Sequence, residues 1–192
     1  MTSHNPNFIG TFHIDSNLCS KIIEFFNNNE SLQSKGQTVS GLDETRKKSI
    51  DITINPKDLV KPDYLYLKDY FDNLFNCYSE YRNLWPFLNE VFEKVDIGSF
   101  NIQKYLPGGH FNNLHSERTS IRTLHRLFAF MTYLNDDFDA GETIFEHYSL
   151  TVKPEKGKTL IWPAEWTHAH KGNVVNNGSK YIITGWLNIA TT

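Results

Sequence analysis

The sequence predicts a mostly β protein, a β-sandwich or jelly roll that N-terminal helices close on one side. Apolar residues recur at helical spacing before about residue 90, whereas short apolar segments separated by turn residues follow from Val95. A chain of 192 residues with 39% apolar content can bury one substantial core. We therefore expect a single domain over residues 1–192, with a helix-rich support in residues 1–94 and the β core in residues 95–192.

Two helices and one strand are predicted in the N-terminal half. The first helix begins at Asp15 or Ser16, either of which can cap it. The second runs from Pro62 to about Asn83, because apolar and aromatic side chains recur there at three- and four-residue steps. The sequence between them is polar apart from one alternation, which predicts a strand over Ile50–Ile54.

The C-terminal half contains short segments with β propensity. The predicted strands are Ile97–Tyr105, Leu127–Leu134, Glu142–Phe145, Leu150–Val152, Thr159–Trp162 and Lys180–Ile189. Turn residues such as Pro107-Gly108-Gly109 and Asn176-Asn177-Gly178 separate them. Many short strands joined by such turns are typical of a jelly roll.

Composition argues against several functions. The formal net charge of −3 disfavours nucleic-acid binding, because backbone phosphates require a basic surface. No apolar run reaches the length of about 18 residues that a membrane span needs, and the first residues do not resemble a signal peptide. Cys19 and Cys77 are too few for a disulfide framework, so both are expected to be reduced and buried. We expect a cytoplasmic protein that has no membrane or nucleic-acid partner.

His115 and Glu117 form the first part of a candidate metal site. Residues i and i+2 of an extended chain point to the same face, so both side chains can bind one ion from a strand end. On a helix they would lie roughly 200° apart, and the surrounding sequence is not helical. With His170 they supply two histidines and one carboxylate, the ligand set of an open iron(II) site. Lys180 beside such a site would need an acidic partner, for which a small dicarboxylate would serve.

Motifs around these residues occur in a fixed order. They are Tyr105-Leu-Pro-Gly-Gly-His-Phe before His115-Ser-Glu117, Arg126 to Asn135, Gly141-Glu-Thr143-Ile-Phe145, Gly157-Lys-Thr-Leu-Ile-Trp-Pro163, His170-Lys-Gly172 and Gly178-Ser-Lys180-Tyr181 to Trp186. By these motifs, residues 103–186 resemble the double-stranded β-helix core of the iron(II)/2-oxoglutarate dioxygenases, in the prolyl 4-hydroxylase-like branch of small bacterial and phage enzymes. The resemblance implies that residues 95–192 form such a core and carry the catalytic site.

The resemblance also implies specific residue roles. The catalytic metal ligands would be His115, Glu117 and His170, and the cosubstrate-binding residues would be Lys180, Thr143, Tyr105 and Trp186. Lys180 would pair with the distal carboxylate of 2-oxoglutarate. The enzyme would use iron(II), 2-oxoglutarate and dioxygen, with ascorbate as a supporting reductant, to hydroxylate an unactivated C–H bond and release succinate and carbon dioxide.

The chain departs from the family pattern at three positions. Glu117 stands where Asp is more common, and Tyr105 lies one residue farther from the first metal histidine than in plant and algal prolyl hydroxylases. Asn188 stands where some peptidyl prolyl hydroxylases have a substrate-side histidine. His168 competes with His170 as the distal ligand, and the positions of Gly178 and Lys180 favour His170.

The sequence leaves two alternatives for the substrate. The branch resemblance implies prolyl 4-hydroxylation of a peptide or protein, with Arg126 and Trp166 beside a groove and the loop over residues 118–125 covering it. The rival substrate is a free amino acid or other small carboxylate bound by Arg118, Arg122 or Arg126.

Two other classes of protein use similar residues. A metal-free jelly-roll binding module would be expected to have lost a ligand or the lysine, and this chain retains all four. A zinc hydrolase could use the same three ligands but leaves Lys180 without a role. The oligomeric state stays open.

Overall fold

Helices pack on one side of two antiparallel sheets in the computed structural model, which describes residues 7–38 and 40–191. The helices are α1 (Ser16–Asn28), α2 (Leu65–Leu84) and α3 (Leu88–Val91). The strands are β1 (Gly10–His13), β2 (Ser34–Lys35), β3 (Ile50–Ile54), β4 (Val95–Ile97), β5 (Phe100–Tyr105), β6 (Phe111–His115), β7 (Arg126–Tyr133), β8 (Asp139–Ala140), β9 (Thr143–Phe145), β10 (Leu150–Val152), β11 (Lys158–Pro163), β12 (His170–Gly172), β13 (Val175–Asn177) and β14 (Lys180–Ile189).

The larger sheet has the order β1-β11-β7-β14-β5-β3-β2, and β4 pairs with the end of β14. The smaller sheet has the order β10-β9-β12-β6, while β8 and β13 pair separately. Strand β7 lies inside the larger sheet and is buried on both faces. Phe128 and Phe130 pack with the helices, whereas Ala129, Met131 and Tyr133 face a second core shared with the smaller sheet. A cavity lies on the side of the second core, lined by Met131 of β7 and by residues of both sheets.

Both predicted long helices are present. The Asp15 side chain accepts a hydrogen bond of 2.8 Å from the Asn17 backbone nitrogen and so caps α1. The second helix begins later than predicted, because Pro62–Tyr64 form a separate 3₁₀ turn before α2. None of the helices in the described ranges has the length and apolar character needed to cross a bilayer. Cys19 and Cys77 are free and buried.

Two strand predictions need correction. The predicted strand Ile97–Tyr105 is interrupted at residues 98–99, where β4 ends and β5 begins. The two parts pair with different ends of β14, since Ile97 lies opposite Leu187 and Tyr105 lies opposite Lys180. His170 lies outside the predicted strands but begins β12. This short strand forms because β6 and β9 pair with it on both sides.

Candidate metal centre

The two candidate histidine ligands lie on neighbouring strands of the smaller sheet. His115 ends β6, and His170 begins β12 directly opposite it. Glu117 follows two residues beyond the end of β6, and its Oε1 lies 3.7 Å from His115 Nε2 and 3.4 Å from His170 Nε2. The three candidate ligand atoms all lie within 4.8 Å of one another. The structure therefore brings together the three residues that the sequence singled out.

Backbone carbonyls fix the orientation of both imidazoles. His115 Nδ1 lies 2.8 Å from the Asn113 carbonyl oxygen, and His170 Nδ1 lies 2.9 Å from that of His168. If each Nδ1–H donates to its carbonyl, the Nε2 lone pairs face the same point as the Glu117 carboxylate. Burial, together with the charge of His170, lowers the pKa of His115 to about 4. The imidazole of His115 is therefore neutral at neutral pH, as a metal ligand must be.

The carboxylate of Glu117 is ionised and held in place. Burial alone would raise its pKa, but hydrogen bonding and the charges of the two histidines, with the Trp186 indole, lower the pKa to about 2. Trp186 Nε1 donates to Oε2 at 2.8 Å. The Arg126 guanidinium lies 3.5 Å above the Trp186 ring and donates to the Glu117 backbone oxygen at 3.0 Å. Neutral imidazoles and an ionised carboxylate are the donors that iron(II) requires, so these residues fit the metal.

Aromatic rings support the two histidines. Phe111 stacks on His115 with ring centroids 3.8 Å apart and planes at 14°. Trp162 meets His170 edge-on, with centroids 5.0 Å apart. Packing of this kind restricts ring rotation, which keeps the ligand atoms close together without the metal.

Lys180 lies at another part of the same cavity, which has a volume of about 390 Å³. Its side chain is only 3% exposed, and Nζ donates to the Gly141 carbonyl oxygen at 2.7 Å. Gly141 has a φ of +72°, a conformation that glycine adopts without strain. Burial lowers the pKa of Lys180 to about 7, and the charge of Glu142 offsets part of this effect. A buried cation of this kind would be stabilised by an anionic ligand.

Tyr105 lies beside Lys180, and Tyr133 links the same region to Thr143. Nζ of Lys180 lies 5.2 Å from the Tyr105 ring centroid and 5.3 Å from that of Tyr133. The Tyr133 hydroxyl forms a hydrogen bond of 2.6 Å with the hydroxyl of Thr143. Tyr105, Thr143 and Trp186 all line the cavity that also contains the three candidate metal ligands.

His168 is not directed at the metal centre. Its Nε2 lies 2.8 Å from the Asn7 carbonyl oxygen, and Nδ1 lies 2.9 Å from the Thr167 hydroxyl. Its backbone oxygen is the one that orients His170. His168 therefore supports the neighbouring ligand, and His170 is the histidine that lies beside Glu117.

The predicted substrate residues lie in different places. Arg126 lines the cavity but contacts Glu117 and Trp186. Trp166 is 69% exposed and lies outside the cavity lining, so the structure does not bring it to the site. Arg118 forms an ion pair with Glu165, and of the loop over residues 118–125 only Thr119 lines the cavity. The 3₁₀ turn over Trp166–His168 buries His168 and leaves Trp166 exposed, which the local sequence does not indicate.

One wall of the cavity was not predicted. Its lining residues from the N-terminal half are Gln37, Thr38, Ser40, Arg46 and Lys47. This segment has no hydrophobic periodicity, so only its polar character was visible in the sequence. Lys47 is buried there and forms an ion pair of 2.6 Å with Asp51.

Comparisons with known proteins found a matching family model and a similar protein. Residues 100–188 match the family model of the 2OG-Fe(II) oxygenase superfamily. The chain is 23% identical over 202 residues to a protein of Acanthamoeba polyphaga mimivirus named "Putative prolyl 4-hydroxylase". The match covers 96% of this chain and 74% of the relative.

Solved structures of similar fold include three prolyl hydroxylases. The viral collagen prolyl hydroxylase of Paramecium bursaria Chlorella virus-1, in complex with 2OG, has a TM-score of 0.69 and 16% identity, with 98% of this chain and 99% of that chain covered. A Pseudomonas putida prolyl-4-hydroxylase has a TM-score of 0.71 and 14% identity, with 97% and 95% covered. The Trichoplax adhaerens prolyl hydroxylase bound to a peptide fragment of hypoxia inducible factor has a TM-score of 0.72 and 15% identity, with 96% and 85% covered. These similarities confirm the predicted double-stranded β-helix fold.

Proposed function

We propose that the chain is a member of the 2OG-Fe(II) oxygenase superfamily that hydroxylates a prolyl residue of a peptide or protein at C4. Enzymes of this superfamily use iron(II), 2-oxoglutarate and dioxygen. The observation that carries the proposal is one cavity in which His115, Glu117 and His170 lie at one part and the buried Lys180 at another. That arrangement suits a ligand with a metal-chelating end and an anionic end.

The proposed metal ligands are His115, Glu117 and His170. These three residues would hold iron(II) from one side and would leave it open to a chelating 2-oxo acid and dioxygen. When bound there, iron(II) with its cosubstrates supplies the oxidative decarboxylation that yields succinate and carbon dioxide and hydroxylates the C–H bond. The protein contributes the position of each group and the exclusion of water.

The proposed cosubstrate residues act by charge and hydrogen bonding. The ammonium of Lys180 would neutralise the distal carboxylate, which would otherwise be costly to bury. The Thr143 hydroxyl would hydrogen-bond to the cosubstrate, and Tyr105, whose hydroxyl donates to Gln103, would line its site beside Lys180. Trp186 would hold Glu117 in its ligating orientation through the indole hydrogen bond.

Prolyl residues are the proposed acceptor because the relatives are named for this activity. The mimiviral relative and the three solved structures are all described as prolyl hydroxylases, and one of those structures contains a bound peptide. The cavity also has a wall of polar side chains, including Gln37, Thr38 and Asn113, that could hydrogen-bond to a peptide backbone.

A free amino acid or other small carboxylate is the second candidate. Arg46 favours it, because this cation lines the cavity with half of its side chain exposed and lies 3.4 Å from its ion-pair partner Asp43. Two of the cations that the sequence suggests for this role have other partners, since Arg118 pairs with Glu165 and Arg126 stacks on Trp186.

A series of substrates of increasing length separates the two candidates. Free proline, a proline tripeptide and longer proline-containing peptides would each be incubated with iron(II), ascorbate and 2-oxoglutarate, and succinate and products with one added oxygen atom would be measured. We expect efficiency to rise with length, because a longer chain gains contacts along the groove. Equal efficiency with free proline or another free amino acid would overturn the peptidyl assignment and favour the second candidate.

We also propose a cytoplasmic location, supported by the free state of Cys19 and Cys77.

A further inference from the structure

Lys47 and Asp51 form a buried ion pair next to the proposed cosubstrate residues. Lys47 is 4% exposed and Asp51 5% exposed, and Nζ lies 2.6 Å from Oδ2. Lys47 itself lines the cavity. Burying two charges is costly even when they pair, so such a pair contributes little to stability compared with apolar residues of similar volume. Its position beside the cavity suggests an electrostatic role.

Hydrogen bonds connect the carboxylate of this pair to Tyr105. Ser49 Oγ donates to Asp51 Oδ1 at 2.7 Å, and Gln103 Nε2 donates to Asp51 Oδ2 at 3.1 Å. The Tyr105 hydroxyl then donates to Gln103 Oε1 at 2.7 Å. The charge of Asp51 thus lies one amide group away from Tyr105. Burial and this charge together raise the pKa of Tyr105 well above its ordinary value. The charge of Asp51 therefore acts on a residue that lines the cavity.

The ammonium of the pair is connected to the metal-ligand strand. Lys47 Nζ lies 5.5 Å from the centroid of the Phe111 ring, which stacks on His115. The neighbouring backbone is tied to the same region, because Lys48 and His110 exchange hydrogen bonds of 2.8 and 3.1 Å. The pair therefore lies between the proposed metal ligands and the proposed cosubstrate residues.

We propose that Lys47 is a positioning residue whose charge neutralises Asp51, so that the Tyr105 side of the cavity admits a dianionic cosubstrate. This inference rests on the proposed function. Without Lys47, Asp51 would present an uncompensated negative charge to 2-oxoglutarate across a poorly screened interior. Without Asp51, the free ammonium would attract the same ligand. If the pair had only a structural role, loss of Lys47 or loss of Asp51 would each loosen the cavity wall, and both losses would weaken 2-oxoglutarate binding.

Four variants test the proposal: Lys47→Met, Asp51→Asn, the double variant, and Lys35→Met as the control. The control breaks an exposed Lys35–Glu44 ion pair of 2.7 Å in the same part of the chain. Each protein would be loaded with manganese(II), which supports no turnover, and titrated with 2-oxoglutarate by calorimetry. Manganese(II) affinity and the thermal unfolding midpoint would be measured in parallel.

The expected results differ in sign between the single variants. Lys47→Met should raise the dissociation constant for 2-oxoglutarate about tenfold or more, whereas manganese(II) affinity should change much less. Asp51→Asn should leave 2-oxoglutarate binding as tight as in the wild type or tighter. The double variant should return to within about threefold of the wild type, because it removes both charges. Lys35→Met should bind as the wild type does.

Unchanged binding by folded Lys47→Met, weaker binding by Asp51→Asn, or failure of the double variant to recover would each overturn the proposal. If Lys47→Met does not fold, Asp51→Asn and the double variant still test the proposal, because a pair with only a structural role would give weaker 2-oxoglutarate binding in both. If the wild type itself does not bind 2-oxoglutarate, the proposed function fails as well.

Discussion

Trp186 Nε1 donates a hydrogen bond of 2.8 Å to Oε2 of Glu117, while Oε1 of the same carboxylate faces both histidines. One carboxylate oxygen is thereby held by the protein, and the other is directed at the metal position. This arrangement favours a single-oxygen ligand. It also gives the side chain of Glu117 a fixed orientation.

Trp186→Phe should weaken metal binding roughly 10- to 100-fold, because it removes the donor that orients Glu117. Titration with manganese(II), followed by electron paramagnetic resonance, would measure the change. Trp166→Phe is the matched control, since Trp166 is largely exposed and lies outside the cavity lining. Equal metal affinity in the two variants would contradict the role assigned to the indole.

Replacing His115, Glu117 or His170 by Ala should abolish both metal binding and turnover, because each removes one of three ligands. Glu117→Asp should retain more activity than Glu117→Ala, since the shorter carboxylate can still bind the metal. His168→Ala should keep metal binding, because its backbone oxygen still orients His170. Loss of binding in His168→Ala together with retention in His170→Ala would mean that the distal ligand is wrongly assigned.

Lys180→Met should raise the apparent Michaelis constant for 2-oxoglutarate by several hundred- to a few thousand-fold. Breaking one side of a buried ion pair costs about 3–5 kcal/mol. Manganese(II) affinity should change little, because Lys180 contacts no metal ligand. Lys171→Met is the control, since Lys171 pairs with the exposed Glu146 at 2.9 Å. An unchanged Michaelis constant in Lys180→Met would require a different anchor, with Arg126 the first candidate.

Binding of 2-oxoglutarate should take up a proton above neutral pH. Burial lowers the pKa of Lys180 to about 7 in the free protein, and a bound carboxylate should raise it again. Affinity should therefore be nearly constant below pH 7 and fall as pH rises above it, because Lys180 must first be protonated. Calorimetry at pH 8 in buffers of different ionisation enthalpy would measure the uptake. The Lys180→Arg variant should lose this pH dependence, and a wild type without proton uptake at pH 8 would contradict the prediction.

Features carried by local sequence could be predicted. The extended geometry of His115 and Glu117 follows from their spacing, and the two-sided burial of β7 follows from its continuous apolar run. Strand β12 has only three residues and forms through pairing with β6 and β9, which lie far away in the sequence. Such pairing leaves no local signal.

The cavity wall that contains Lys47 is a second feature that local sequence does not carry. Lys47 looks like any surface lysine in a polar stretch. Its burial depends on Asp51, on the ring of Phe111 and on the backbone contact between Lys48 and His110. The contact of Arg126 with Trp186 is likewise visible only in three dimensions, where β7 and β14 lie side by side.

The most direct test of the proposed function follows the fate of isotopically labelled dioxygen. The protein would be incubated with iron(II), 2-oxoglutarate and a proline-containing peptide, and both products would be analysed by mass spectrometry. We expect one labelled atom in the hydroxylated prolyl residue and one in succinate, with neither product formed by His170→Ala. Succinate without labelled oxygen in any peptide would contradict prolyl hydroxylation, and the absence of succinate from metal-loaded wild-type protein would contradict the oxygenase assignment itself.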